Sequence, residues 1–168
     1  MQRVYFGLGT NLGQRRENLQ QATTALTKVV TVTAVSHLYE TPPWGVLEQP
    51  AFINMAAAGR TSLPPHELLR AIKQIEQDIG RQKTIKWGPR LIDIDILLYG
   101  DLVLKTEGLQ IPHPYMQERP FVLGPLADIA ADVVHPVFGK TVAELFAGID
   151  DGSLTRLPDE IRLEPPAK

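Results

Sequence analysis

Two aspartates, Asp93 and Asp95, stand two residues apart within the apolar stretch RLIDIDILLYG, residues 90–100. Alternate side chains of a strand share a face, so both carboxylates point to one side and the isoleucines around them to the other. Carboxylates this close repel each other, and when partly buried they stay ionised only if a cation lies between them. Their hard oxygen atoms suit magnesium or manganese better than zinc or copper. The pair therefore indicates a metal site, unless it is the solvated face of an antiparallel sheet.

A basic segment leads directly into this pair. The ten residues RQKTIKWGPR, 81–90, carry Arg81, Lys83, Lys86 and Arg90 and no acidic residue. A polyphosphate ligand requires both features, because metal ions bridge its oxygens to carboxylates while Arg and Lys neutralise the remaining charge. The segment therefore predicts polyphosphate binding, and the alternative is a solvated basic surface.

Aromatic and basic residues elsewhere could complete such a site. Trp44 and Trp87 lie in loops rich in Pro and Gly, where aromatic side chains often line a ligand site, so a flat, stacking ligand is conceivable. His113, flanked by two prolines, and Arg119 lie in a later loop, where a phosphate contact and a surface role are both consistent with the sequence. The glycine-rich GLGTNLG, residues 7–13, lacks the dinucleotide-binding spacing and is better explained as a tight turn.

Length and composition limit the kind of protein. A chain of 168 residues with 43% apolar residues can bury the core of one domain, so we expect a single domain over 1–168 with 150–168 as a peripheral C-terminal tail. The formal net charge of -2 gives no overall positive field for a nucleic-acid backbone. The absence of Cys removes disulfides and thiolate chemistry, and no run of about 18 apolar residues predicts a membrane span. We expect a cytoplasmic protein without nucleic-acid or membrane partners.

Hydrophobic periodicity predicts the elements that position these residues. Apolar or β-branched runs predict strands at 4–8, 31–40, 52–58 and within 90–100, and helical spacing predicts helices over 19–29 and over 68–79, the second ending at Gly80. A short strand at 102–104 and helices near 121–129 and 141–147 follow. This order predicts an α+β fold with a ferredoxin-like βαββαβ core, an antiparallel sheet with two main helices on one face, plus C-terminal additions.

Five blocks of the sequence, in this order, resemble the 6-hydroxymethyl-7,8-dihydropterin pyrophosphokinase family: GLGTNLG at 7–13, YETPPWG at 39–45, QPAFIN at 49–54, GRQKTIKWGPRLIDIDILLYG at 80–100 and IPHPYMQERPFVLGPL at 111–126. They span roughly residues 4–130. The resemblance implies an enzyme of folate biosynthesis that transfers the β,γ-diphosphate of ATP to the hydroxymethyl group of the pterin and releases AMP. It implies magnesium-assisted in-line transfer without a covalent intermediate, and a monomer.

The resemblance also implies roles for individual residues. Asp93 and Asp95 would hold two Mg²⁺ ions and, with Arg81 and Arg90, form the catalytic set. The residues expected to bind ATP are Glu76, Arg81, Lys83, Trp87, Arg90, His113 and Arg119. The residues expected to bind the pterin are Thr41, Pro42, Pro43, Trp44, Phe52, Asn54 and Phe121, with the two phenylalanines on either side of the ring.

Two departures from the family pattern weaken single contacts. Lys83 replaces an arginine of many members and offers a point charge without a bidentate fork. Pro114 stands where some members have tyrosine, so any hydroxyl contact there is lost. Two other functions compete with this reading: an Asp-x-Asp phosphatase, in which the apolar strand would precede the acids, and a non-catalytic ferredoxin-like module that binds a nucleotide.

Overall fold

The computed structural model describes residues 1–41, 51–81 and 91–163, with Arg81 described by its backbone only. The strands are β1 (Gln2–Thr10), β2 (Thr31–Val35), β3 (Tyr39–Thr41), β4 (Phe52–Thr61), β5 (Asp93–Tyr99), β6 (Leu104–Thr106), β7 (Leu109–Ile111) and β8 (Thr155–Arg156). The helices are α1 (Arg15–Leu26), α2 (Pro65–Arg81), α3 (Pro120–Ala130) and α4 (Val142–Ala147), with a 3-10 turn at Met116–Glu118.

One antiparallel sheet organises the chain. Its strand order is β5-β1-β4-β3-β8, and β2 also pairs with β4. Helix α1 connects β1 to β2 and helix α2 connects β4 to β5, so each crossover passes over one intervening strand. Strands β6 and β7 form a separate hairpin. The prediction of a mixed fold with an antiparallel sheet is confirmed.

The sheet carries helices on both faces. On one face, Val4, Phe6 and Leu8 of β1 pack in a core with α1 and α2. On the other face, Tyr5 packs with α3 and α4. This division follows from the alternation of side chains along β1. Among the described helices, none is both long and apolar enough to cross a membrane.

Several predicted element boundaries were wrong. The helix predicted over 19–29 is α1, which ends at Leu26. The strand predicted over 31–40 is two strands, because residue Ser36 exchanges hydrogen bonds with Ala56 through both its backbone N–H (2.9 Å) and its Oγ (2.8 Å) and interrupts the regular pairing. Helix α2 continues through Gly80 to Arg81. A single glycine destabilises a helix by about 1 kcal/mol, which is not enough to end it. The strand predicted at 102–104 is instead a hairpin of β6 and β7, which turns at Gly108 with φ of 92°.

Candidate active site

A cleft of about 190 Å³ opens where the end of β1 meets the starts of β4 and β5, facing the first turn of α3. The residues that line it are Gly7, Leu8, Gly9, Thr41, Phe52, Asn54, Met55, Asp93, Asp95, Arg119, Phe121 and Val122. Seven of the residues predicted from the sequence therefore line one cavity: Thr41, Phe52, Asn54, Asp93, Asp95, Arg119 and Phe121.

Strand β5 presents both aspartates to this cleft because its isoleucines are buried on the other side. Ile92, Ile94 and Ile96 are 1%, 1% and 5% exposed and belong to the core under α1 and α2. Asp93 and Asp95 lie on the opposite face and both line the cleft. The predicted alternation of side chains is confirmed.

Glu76 of helix α2 holds the backbone between the two aspartates. Its Oε2 accepts a hydrogen bond of 2.8 Å from the N–H of Ile94, and its Oε1 lies 3.1 Å from Nζ of Lys73. Strand β5 lies at the edge of the sheet, so N–H groups on its outer side need an acceptor other than a strand. Glu76 supplies that acceptor from a side chain that is only 10% exposed.

Two glycines of β1 form part of the cleft wall. A Cβ atom on Gly9 would stand 2.7 Å from Oδ1 of Asn54, the residue opposite it on β4. The Asn54 side chain can therefore occupy the cleft only because Gly9 has no side chain, and its Nδ2 lies 3.5 Å from Oγ1 of Thr41. The turn predicted within residues 7–13 begins only after β1 ends at Thr10, and Gly13 adopts a φ of 62° in it. Gly9 lies inside the strand, where a glycine marks close approach of another group.

Arg119 places a positive charge at the start of helix α3. Its guanidinium carbon lies 5.3 Å from the ring centre of Tyr115 and 5.9 Å from that of Phe121. Both rings attract the cation through their faces, which favours a defined position for a flexible side chain. Tyr115, which the sequence-based prediction does not include, thereby contributes to the arrangement around the cleft.

A second pocket of about 330 Å³ adjoins the cleft, and Asp95 lines both. Its lining is Leu69, Lys73, Ile94, Asp95, Ile96, Thr106, Gly108, Leu109, Gln110, His113 and Pro114. Lys73 is a cation on this wall that the sequence-based prediction does not include; its position on an amphipathic helix gives no local signal of a pocket.

His113 lines this pocket, and its surroundings favour the neutral form of its ring. Burial lowers the pKa of His113; the attraction of Asp95 opposes that shift, and repulsion from Arg119 adds to it. Its Nδ1 lies 3.2 Å from the backbone N–H of Tyr115 and accepts a hydrogen bond from it, so the ring proton of the neutral form is on Nε2. Its own backbone N–H donates to the carbonyl of Leu97 at 3.0 Å, which ties the residue to β5.

The remaining predicted residues lie outside the described part of the chain. They are Pro42, Pro43, Trp44, Lys83, Trp87 and Arg90, together with the side chain of Arg81.

The carboxylates of Asp93 and Asp95 are a donor set that suits magnesium. Within residues 1–41, 51–81 and 91–163, no cluster of three or more acidic or histidine side chains could enclose a metal ion. Mg²⁺ is commonly bound by one or two carboxylates, with its other positions taken by water and substrate phosphates. Two carboxylates beside an open pocket therefore fit that ion without further protein ligands.

Solved structures share this fold. The chain superposes on Plasmodium falciparum HPPK-DHPS wild type with a TM-score of 0.72 at 17% identity, covering 88% of this chain and 44% of that one. It also matches HPPK-DHPS in complex with substrates with a TM-score of 0.70 at 17% identity, covering 88% and 42%. The chain spans less than half the length of these solved chains, and the likeness at this identity concerns the fold.

Sequence comparison gives closer relatives. The 2-amino-4-hydroxy-6-hydroxymethyldihydropteridine pyrophosphokinase of Pseudomonas aeruginosa is 44% identical, over 94% of this chain and 98% of that protein. The protein of the same name from Aquifex aeolicus is 42% identical, over 86% and 90%. Folic acid synthesis protein FOL1 of Dictyostelium discoideum is 44% identical over 89% of this chain, which covers 23% of that protein.

Residues 5–131 match the profile of the family described as 7,8-dihydro-6-hydroxymethylpterin-pyrophosphokinase. The chain belongs to this family. It is an ATP-dependent diphosphotransferase of folate synthesis, and the predictions of family and activity are confirmed.

Proposed function

We propose that the reaction takes place where the cleft meets the adjoining pocket, with the pterin in the cleft and the triphosphate of ATP in the pocket. The observation that carries this assignment is Asp95, which lines both cavities. A carboxylate that holds a metal ion between two substrates must lie where their two binding sites meet. The reaction moves the β,γ-diphosphate of ATP to the hydroxymethyl oxygen and releases AMP.

The cleft supports binding of a flat, polar ring. Phe52 comes from the sheet and Phe121 from helix α3, and both line the cavity, so a ring between them would contact an aromatic side chain on each side. The amide of Asn54 offers a donor and an acceptor to the ring edge, and Thr41 offers a hydroxyl. Pro42, Pro43 and Trp44 are proposed to extend this subsite from the following segment.

The pocket supports binding of a polyanion. His113 presents an Nε2–H donor in the pocket, and Lys73 adds a positive charge on its wall. Arg119 adds a second positive charge from the adjoining cleft. We propose that Arg81, Lys83, Arg90 and Trp87 complete the nucleotide site. The carboxylate of Glu76 contacts Lys73 and Ile94, which supports a positioning role for it on the nucleotide side.

Asp93 and Asp95 would hold the magnesium, for which we propose two ions. When bound, magnesium would screen the charge of the triphosphate and of the attacking hydroxyl oxygen. The protein groups would hold the hydroxymethyl oxygen in line with the β-phosphorus and exclude water. No protein nucleophile is needed, because positioning and charge stabilisation account for most catalysis of phosphoryl-type transfer.

The finer architecture is also part of the proposal. The strand order β5-β1-β4-β3, with crossovers that each skip a strand, supports a ferredoxin-like core. A monomer as the active unit is proposed from the resemblance to the family alone. The single domain over 1–168, its boundary at 150 and a cytoplasmic location stay predictions from the sequence.

The proposed reaction is tested by its nucleotide product. The protein is mixed with ATP, magnesium and 6-hydroxymethyl-7,8-dihydropterin, and nucleotides are separated by anion exchange beside a control without pterin. AMP that forms only with the pterin is the expected result. ADP would indicate an ordinary kinase, phosphate without an acceptor would indicate a phosphatase, and unchanged ATP would indicate a binding module.

A further inference from the structure

The two walls of the cleft belong to different layers of the fold. Thr41 comes from β3, near the edge of the sheet, and Phe121 comes from α3, which lies across the sheet face. The width of the cleft between them therefore depends on how far α3 stands from β3. Contacts that join these two elements can set that distance.

A hydrogen-bonded pair makes the first such contact. The hydroxyl of Tyr39 on β3 lies 2.9 Å from both carboxylate oxygens of Asp128 on α3, and the backbone N–H of His37 donates to the same carboxylate at 3.2 Å. Tyr39 precedes Thr41 by two residues and shares its face, and it stands directly opposite Asn54 on β4. The Tyr39–Asp128 hydrogen bond therefore lies next to Thr41 and Asn54, two residues that line the cleft.

The C-terminal segment 152–157 makes the second contact, because it touches both elements. Its strand β8 pairs with β3, matching Thr155 with Glu40, and the N–H of Leu157 donates to the carbonyl of Leu38 at 2.8 Å. Toward α3, a Cβ atom on Gly124 would overlap Cδ2 of Leu154, so the Leu154 side chain and the helix are in direct contact.

Residues further along the chain hold this segment in place. Ile161 is 5% exposed and belongs to the core under α1 and α2. From α1, Arg16 donates to the carbonyl of Glu160 at 2.8 Å, and Gln20 exchanges two hydrogen bonds of 3.0 Å with the backbone of Arg162. The segment is therefore anchored beyond its contact with the cleft walls.

We propose that the Tyr39–Asp128 pair and segment 152–157 together form a brace that sets the spacing of β3 and α3 and thereby the affinity of the cleft for the pterin. The inference rests on the proposed function, in which the pterin binds in this cleft. Tyr39 and Asp128 are positioning residues, since they act through Thr41, Asn54 and Phe121. Charge-assisted hydrogen bonds such as this one are stronger than neutral ones, which suits a contact that maintains a distance.

The first test compares Tyr39→Phe with Tyr99→Phe. Both changes remove one hydroxyl hydrogen bond, but Tyr99 donates to the carbonyl of Leu63 on the other side of the sheet, at 2.7 Å. Pterin dissociation constants are measured by calorimetry without nucleotide, with KM for both substrates, kcat and the melting temperature. Tyr39→Phe is expected to raise the pterin Kd and KM about tenfold, with ATP KM and kcat nearly unchanged, and Tyr99→Phe to leave the pterin Kd unchanged.

The second test uses the packing between helix and segment. Gly124→Ala forces Leu154 away from α3 and should also raise the pterin Kd, while Gly124→Ala combined with Leu154→Ala relieves the clash and should recover part of the affinity.

An unchanged pterin Kd in Tyr39→Phe would overturn the brace, as would a parallel loss of pterin affinity, ATP affinity and melting temperature. Failure of the wild-type protein to bind the pterin would instead refute the proposed function on which the brace rests.

Discussion

Glu76 accepts a hydrogen bond of 2.8 Å from the backbone N–H of Ile94, the residue that separates Asp93 from Asp95. A side chain of helix α2 thus holds strand β5 at the residue that lies between the two aspartates. Among the strands of residues 1–41, 51–81 and 91–163, none lies on the outer side of β5 to accept from this N–H. The geometry of the aspartate pair therefore depends on a residue that does not line the cleft.

Replacing Glu76 tests this dependence. Glu76→Ala leaves the N–H of Ile94 without its acceptor, so we expect a loss of about 1–3 kcal/mol in the free energy of unfolding and a roughly ten- to hundredfold lower kcat. Glu76→Gln keeps an oxygen acceptor and should retain most of both quantities. Urea unfolding and steady-state AMP formation measure the two effects. Equal kcat losses in both variants would show that the negative charge matters, and not the hydrogen bond.

Replacing either aspartate should remove turnover and keep the fold. We expect Asp93→Ala and Asp95→Ala each to lower kcat by roughly 10²- to 10³-fold or more, because each removes a carboxylate proposed to hold the magnesium that would compensate the negative charge of the transition state. The isoleucines that fold β5 remain in place on the opposite face. Circular dichroism and thermal melting provide the control. Unfolding of either variant at ordinary temperature would contradict the separation of chemistry from core packing.

Gly9→Ala should weaken pterin binding through Asn54. The added Cβ would stand 2.7 Å from Oδ1 of Asn54, so the amide must leave its position. We expect the pterin KM to rise about tenfold while the ATP KM stays within about twofold. In the background of Asn54→Ala, the same glycine change should have a much smaller effect. Additive losses in the double variant would rule out coupling between the two residues.

Tyr39 should titrate later than an ordinary phenol. Burial, followed by the hydrogen bond to Asp128 and the charge of Asp128, raises the pKa of Tyr39 to about 12 against the opposing charge of Arg156. The folded protein keeps the Tyr39 proton above pH 10, where the unfolded chain loses it. The contribution of protonated Tyr39 to the free energy of unfolding is therefore complete below pH 10 and is lost between pH 10 and about 12. Near-ultraviolet titration of tyrosinate should show a late step that Tyr39→Phe removes. A late step that survives this change would refute the assignment.

His135 should make the protein less stable in acid. The residue is 2% exposed, its Nδ1 accepts from the N–H groups of Val137 and Phe138, and burial lowers its pKa. As the pH falls below about 6.5, the unfolded chain binds this proton and the folded chain does not, so the free energy of unfolding decreases. His135→Asn keeps an acceptor at the Nδ1 position and should flatten the dependence. An identical acid slope in both proteins would contradict the prediction.

The chemistry of β5 was readable from the sequence because it depends on a local rule. Side chains alternate along a strand, so the order Ile, Asp, Ile, Asp, Ile predicts which groups share a face. The same rule did not reveal that the strand predicted over 31–40 is interrupted at Ser36. That interruption depends on hydrogen bonds to Ala56, twenty residues away. Local patterns predict faces, whereas long-range contacts decide where elements end.

Contacts across long sequence separations were not readable. Tyr39 and Asp128 are 89 positions apart, and neither position has a local pattern that indicates the other. The role of Gly9 was missed for a related reason. The glycine- and asparagine-rich GTNLG at 9–13 suggests a turn, and only the register of β1 against β4 shows that Gly9 makes room for Asn54. His113 and Arg119 could be placed beside Asp95 only through the family resemblance and then through the fold.

The most direct measurement of the central claim follows the β-phosphate of ATP. ATP labelled with ³²P at the β position is incubated with the protein, magnesium and 6-hydroxymethyl-7,8-dihydropterin, and the products are separated. The proposed site transfers the β- and γ-phosphates together, so we expect the label in the pterin product and unlabelled AMP in equal amount. Label that remains in ADP would show transfer of the γ-phosphate alone and would contradict diphosphate transfer at this site.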